Sequence, residues 1–133
     1  MNRSGLNNPT LAKPDLATSV RAHFPNAQEI MYSRDVVVAH RTFTAGDVVM
    51  LMMLGRLCVA ELLFNVALDE DEPLSCVSIW ADVKVVEADR YTRTVARAEQ
   101  RIYVPSIDLK AACIYRELAT PSHVMVVVPS DLW

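Results

Sequence analysis

The sequence predicts a mostly β fold: a small barrel or rolled antiparallel sheet of six or seven strands, with a short N-terminal helix or mobile arm before it. Three observations carry that expectation. Residues 74–86 place Val77, Ile79, Ala81, Val83 and Val85 on one parity and Ser78, Trp80, Asp82 and Lys84 on the other, the alternation of a strand with two unlike faces. Residues 47–68 form the most apolar stretch of the chain, divided by Gly55-Arg56. Runs of β-branched residues between Pro, Gly and Asp/Asn punctuation recur along the rest.

Size and composition fit one domain. A chain of 133 residues with 52% hydrophobic side chains is long enough to bury its own core and too apolar for a disordered segment. Residues 1–28, rich in Asn and Pro, read as a mobile N-terminal arm, and residues 29–133 as a single β-rich domain. No apolar leader follows Met1, and the three cysteines, Cys58, Cys76 and Cys113, are odd in number and widely spaced. That pattern points to a reducing, intracellular compartment, cytoplasmic or nuclear, and to buried structural thiols.

Within the arm, Leu16, Val20 and Phe24 recur at helical spacing. A helix over residues 15–23, capped by Asp15 and ended by Pro25, would dock them on the domain. Residues 36–39 are β-branched and predict a strand, and residues 42–47 a turn. The central stretch has three readings. A membrane-spanning helix needs roughly 18 uninterrupted apolar residues, and Arg56 and Glu61 interrupt this run. A buried helix suits its Leu, Met and Ala. A hairpin turning at Gly55-Arg56 is preferred: Cys58, Ala60, Leu62, Phe64, Val66 and Leu68 share one parity, although Leu57, Val59 and Leu63 blur it, and the neighbouring segments also read as strands. Residues 69–73 read as a solvated acidic turn before the strand at 74–86.

Residues 89–102 fit both periods. As a helix, Arg90, Arg93, Arg97 and Arg101 form a stripe; as a strand, Arg93, Arg97, Glu99 and Arg101 share a face. The surrounding strands favour the extended form. Ser106 is positioned to cap a short turn over 107–109, residues 111–118 read as a further strand, and residues 123–128 as a buried strand between two neighbours.

Catalytic and metal motifs are weak. No CxxC, HxxxH, glycine-rich phosphate loop or GxSxG occurs, so neither a metal nor a cofactor is expected. His123, with Ser122 beside it and Cys113 upstream, offers a Cys/Ser–His arrangement, against the plainer alternative of a histidine bonded at a strand edge. The acidic turn lacks the spacing and glycine of a calcium loop.

Residues 61–89 carry one basic and eight acidic side chains, while residues 90–133 carry six basic and four acidic. That segregation excludes a uniformly basic nucleic-acid binder and leaves room for local contacts. Arginines recognise carboxylates and phosphates bidentately, and aromatic rings beside them add stacking. The candidate binding residues are therefore Arg90, Arg93, Arg97 and Arg101 with Trp80, Tyr91 and Tyr103. Phe43-Thr44-Ala45-Gly46-Asp47-Val48-Val49, followed by Gly55 and Val59-Ala60-Glu61, resembles the opening of small chromatin-type barrels of the Tudor and bromo-adjacent-homology kind. That resemblance implies a β-barrel and a chromatin or nucleic-acid association, without placing an aromatic cage.

The expected function is a non-catalytic binding or assembly module for a protein or peptide partner, bound at a strand edge or at the arginine/aromatic face, with no membrane contact. Alternatives are a nucleic-acid-associated barrel using the same arginines, and a small Cys/Ser–His enzyme. The acidic segment of one copy meeting the basic segment of another would give a homo-oligomer.

Overall fold

The computed structural model describes residues 4–83 and 91–129. In chain order the elements are β1 (Ser4–Asn7), β2 (Thr10–Leu11), α1 (Pro14–His23), β3 (Ile30–Ser33), β4 (Asp35–Val38), β5 (Arg41–Thr44), β6 (Val48–Met53), β7 (Arg56–Leu68), β8 (Leu74–Asp82), β9 (Thr92–Ala96), β10 (Arg101–Pro105), a 3₁₀ turn (Ser106–Asp108), β11 (Leu109–Ala112), β12 (Tyr115–Glu117) and β13 (His123–Val127). The fold is mostly β, and the described strand pairs are antiparallel. The main sheet runs β11-β6-β7-β8-β9-β13-β12, with β10 also on β8 and β2-β3 on the far end of β7. Its ends, β11 and β12, follow one another in the chain, with Cys113 N–H donating to Val48 O beside β6 and Ile114 O accepting from Val127 N–H beside β13; no closed barrel is found among the described residues. A smaller sheet, β1-β4-β5, covers one face.

Among the described residues thirteen strands stand where six or seven were expected. The extra ones are short and come from stretches that carry Asn, Arg or Ser, where two to four residues show no readable period. The segment read as a mobile arm is built into the fold from Ser4 onward: β1 pairs with β4, β2 with β3, and Val20 of α1 is fully buried. The helix begins one residue earlier than expected. Asp15 does not cap it; Lys13 is the N-cap without a side-chain bond, and Pro14 opens the first turn, where its missing N–H costs nothing. The expected turn at 42–47 is partly strand, since β5 pairs along β4. The expected strand at 111–118 is two strands, β11 on β6 and β12 on β13. Ser106 is not a cap but a buried hydroxyl.

The central stretch is the hairpin β6–β7. Its turn is Leu54-Gly55, both at positive φ (51° and 76°), as a right-handed two-residue hairpin requires. Leu54 is 96% exposed at that tip. Arg56 is already in the ladder, opposite Met53.

A bulge decides how the sheet is buried. Up to Leu62, β7 pairs with β8 in one register; from Phe64 on the register has shifted by one, leaving Leu63 as the extra residue. One added residue sends every later side chain to the other face. The even-numbered parity noted in the sequence therefore serves two faces. Ala60 and Leu62 enter a core with Val49, Leu51, Val77 and Val104, roofed by Val36, Val38 and Phe43 of the small sheet. Past the bulge, Val66 and Leu68 lie on the opposite face, under α1, with Ala17, Val20 and Ile30.

On the first face the bulge puts Asn65 into the interior, fully buried. Its amide donates to Arg34 O at 3.2 Å and its oxygen accepts from the Ser75 hydroxyl at 2.7 Å, which lies 2.6 Å from the Ser106 hydroxyl. No buried side-chain polar atom lacks a partner among the described residues. We call this the closed face. The opposite, split face carries two separate cores. One holds Val48, Met50, Val59 and Trp80 beneath Val95, Val124 and Val126; the other is the α1 core.

Candidate functional site

Trp80 lies on the polar parity of its strand yet is only 5% exposed, because β9 and β13 fold over that end of the split face. Both faces of β8 are thus covered. Between the two cores the split face stays open. A single row crosses it at the bulge: Glu61 of β7 opposite Ser78 of β8, and Ser78 opposite Arg101 of β10. The Ser78 hydroxyl is turned to Ala98 O. This leaves Glu61 and Arg101 on either side with no side-chain hydrogen bond or ion pair among the described residues.

A cleft of about 280 Å³ sits over this row, walled by Leu63, Trp80, Arg97, Glu99 and Arg101. It continues into a second cleft of about 360 Å³ between α1 and β10, reaching Leu16, His23, Phe64 and Tyr103. A third, of about 390 Å³, runs under Leu11, Lys13 and Tyr32 and shares Leu16, Leu63 and Phe64 with the others. The three, which we call the groove, are neighbours along the split face, each sharing a wall residue with the others. An aromatic cluster lies beside them: Tyr103 packs on His23, Phe24 and Phe64 at ring separations of 5.2, 5.1 and 6.1 Å, and Tyr32 lies 6.4 Å from Phe64. Burial pushes the Tyr103 phenol above its ordinary value, and the nearby Cys76 adds to the effect while Arg101 opposes it.

The arginine row divides into separate jobs. The region is extended, as expected, but it breaks between β9 and β10. Arg93 is a clamp: it donates to Leu57 O at 2.7 Å and to both Asp82 oxygens at 2.6 and 2.7 Å. It therefore ties β9 to β7 and β8 and does not face the groove. Arg97 lies with its guanidinium carbon 5.4 Å from the Trp80 ring centre and pairs with Glu117 at 2.7 Å. Arg101 lines both the first and second clefts. Tyr91 is 42% exposed, beside the end of β13, where its carbonyl accepts from Val128 N–H at 2.8 Å. Arg90 lies outside the described residues. Of the candidates named from sequence, Trp80, Arg97, Arg101 and Tyr103 come together; Arg93 and Tyr91 do not join them.

Glu61, Leu63, Phe64, Leu16 and His23 were not named. The sequence signal for Glu61, Leu63 and Phe64 was the blurred parity of residues 57–68, which is the mark of the bulge; that for Leu16 was its helical spacing with Val20 and Phe24.

The histidine and cysteine chemistry is not assembled. His123 opposes Ala96 at the start of β13 and makes no side-chain bond to Ser122 or Cys113. Burial pushes the Cys113 thiol up to about 11 and also raises that of Cys76. All three cysteines are free; Cys76 is buried, whereas Cys58 and Cys113 are half-buried. The acidic turn is structural at its first residue. Asp69 accepts from Glu29 N–H at 2.7 Å and Gln28 N–H at 3.0 Å, and these two backbone donors hold its carboxyl below the ordinary value. Among the described residues no group of three His, Cys, Asp or Glu side chains is placed to hold a metal, and no helix is long and apolar enough to cross a membrane.

In comparisons with known proteins, no family model, no curated protein and no solved structure matches this chain.

Proposed function

We propose that this chain is a non-catalytic binding module that captures an extended protein or peptide segment in the groove of the split face. The observation that carries the proposal is adjacency: three clefts lie side by side, sharing Leu16, Leu63, Phe64 and Arg101 among their walls, beside the aromatic cluster of Tyr103, Phe64, Phe24 and His23. Extended segments are recognised at exposed sheet edges, with neighbouring pockets that take alternate side chains. On this reading the main sheet is a rolled, open-edged scaffold rather than a barrel, and the bulge at Leu63 is the feature that opens the site.

Peptide is favoured over nucleic acid because the cationic row is not a phosphate track. Arg93 and Arg97 are paired with carboxylates, and Arg101 alone among the described members of the row has no ion pair, so one guanidinium stands where a phosphate track needs several. Phosphate binding needs uncompensated positive charge and responds steeply to salt.

The test is to pan the full chain against a displayed library of random linear peptides and a pool of single-stranded oligonucleotides. Enriched peptides should bind the chain, lose about tenfold in affinity on Leu63→Ala, and be indifferent to Arg116→Ala on exposed β12. Oligonucleotide binding with a steep salt slope, and no enriched peptide, would replace this reading with the nucleic-acid one.

Self-association is a second reading, favoured by Ile114 and Val127, which are 78% and 40% exposed, with Val127 N–H donating to Ile114 O. Light scattering after size exclusion would show a dimer insensitive to salt, because the contact is apolar.

A further inference from the structure

We infer that the partner segment binds as an added β-strand on the outer edge of β10, with a carboxylate side chain opposite Arg101 and an apolar one opposite Tyr103. The inference rests on the peptide-binding reading above and assigns its mode and partner chemistry.

β9 and β10 lie one after the other along β8. The outer edge of β9 is filled by β13, which begins at His123 opposite Ala96, with Ser122 O accepting from Arg97 N–H just before it. Beyond that point no described strand pairs with β10 except β8. The free slot is therefore the in-plane continuation of β13.

The phase of the ladder fixes which groups face that slot. Ile79 N–H donates to Gln100 O at 3.0 Å, and Ser106 N–H donates to Pro73 O at 3.0 Å. Both bonds fall in the register that pairs Ile102 with Val77 and Val104 with Ser75. Antiparallel ladders alternate hydrogen-bonded and non-bonded pairs. Ile102 and Val104 therefore turn their main-chain groups to β8. Arg101 and Tyr103 turn theirs outward, as does Pro105, whose missing N–H falls on the side that needs no ladder bond.

The outward strand carries its own selectivity. Arg101 and Tyr103 share the split face, so an added strand would lay alternate side chains over the groove. The residue opposite Arg101 lies one strand spacing from a guanidinium that has no ion pair, and a carboxylate satisfies it. Glu61 stands two strands further in, across Ser78, and does not compete for that position. The residue opposite Tyr103 faces the cleft of about 360 Å³ beside Leu16 and His23, which takes an apolar side chain. Exposed Glu99, two residues before Arg101, disfavours a uniformly acidic strand. An identical β10 from a second copy would bring another Arg101 to the same cleft, which is how charged edges discourage self-pairing.

The test uses end-blocked peptides recovered by panning the full chain, with main-chain amide exchange followed residue by residue. The expected result is new protection at the Arg101 and Tyr103 amides, while those of Ile102 and Val104 change little. Recovered peptides should carry one acidic residue, and exchanging it for lysine should weaken binding about tenfold. Arg101→Pro should weaken binding about tenfold more than Arg101→Ala, because both remove the charge and only proline removes the outward donor. Peptides that bind without protecting Arg101 and Tyr103 would overturn strand addition and leave the groove reading intact. Absence of any binding peptide would overturn both.

Discussion

The closed and split faces of the main sheet are built from the same strands, and they meet different fates at one position. Leu62 and Leu63 are consecutive leucines. Leu62 is fully buried in the closed core; Leu63, the extra residue of the bulge, is half-buried and lines the groove. On the closed face the small sheet roofs the core and the polar groups of Asn65, Ser75 and Ser106 are satisfied. On the split face two cores stand apart, and the gap between them is where unpaired charge and aromatic surface gather. The difference teaches that a single-residue register shift both continues the core and interrupts it, leaving a half-buried Leu63 between two packed clusters on the split face.

That comparison is most easily broken by truncation. Leu62→Ala should cost about 3 kcal/mol of unfolding free energy, read from urea midpoints, whereas Leu63→Ala should cost less than about 1 kcal/mol. Equal losses would mean that the two faces are packed alike.

Asn65→Ala comes next. It removes the acceptor of the Ser75 hydroxyl and the donor to Arg34 O, and should cost about 2 kcal/mol, because buried groups then lose their partners. No change in the urea midpoint would show that the polar network is dispensable to the closed face.

Arg93→Ala should cost about 1 kcal/mol, less at high salt, because its partner Asp82 is half-exposed. A loss of peptide binding without a loss of stability would instead place Arg93 in the groove.

A smaller effect is expected at acid pH. Asp69 has a depressed carboxyl pKa, so the stability it contributes is present above its ordinary value of 3.8 and is lost as pH falls toward the folded-state value. Asp69→Asn should lower stability near neutrality by that contribution and flatten the acid limb below that pH, so that the variant and the parent chain converge as pH falls. Cys113 responds at the other end: with its thiol pushed up to about 11, alkylation should be slow at pH 8 and accelerate only as that value is approached.

Much of the architecture was legible in the sequence. The alternation at 74–86, whose residues 84–86 lie outside the described residues, the Gly55 turn and the apolar run at 123–128 correspond to β8, the β6–β7 hairpin and β13. What escaped was whatever local period does not encode. β1 and β2 are too short to alternate, and they exist because β4 and β3 supply partners. Trp80 read as a polar-face residue because its burial depends on β9 and β13 folding over it. The arginine row was visible as a row, but its division into a clamp, a stacked pair and an unpaired guanidinium depends on Asp82, Glu117 and Trp80, which only the fold brings near. The bulge was visible only as noise at Leu63, and that noise marked the candidate site.

The most direct measurement is the affinity of a panned peptide for Leu63→Ala, with the unfolding free energy taken on the same sample. We expect affinity about tenfold weaker with stability nearly that of the parent chain, which would place binding on the split face apart from the core. Unchanged affinity at unchanged stability would contradict the groove as the binding site.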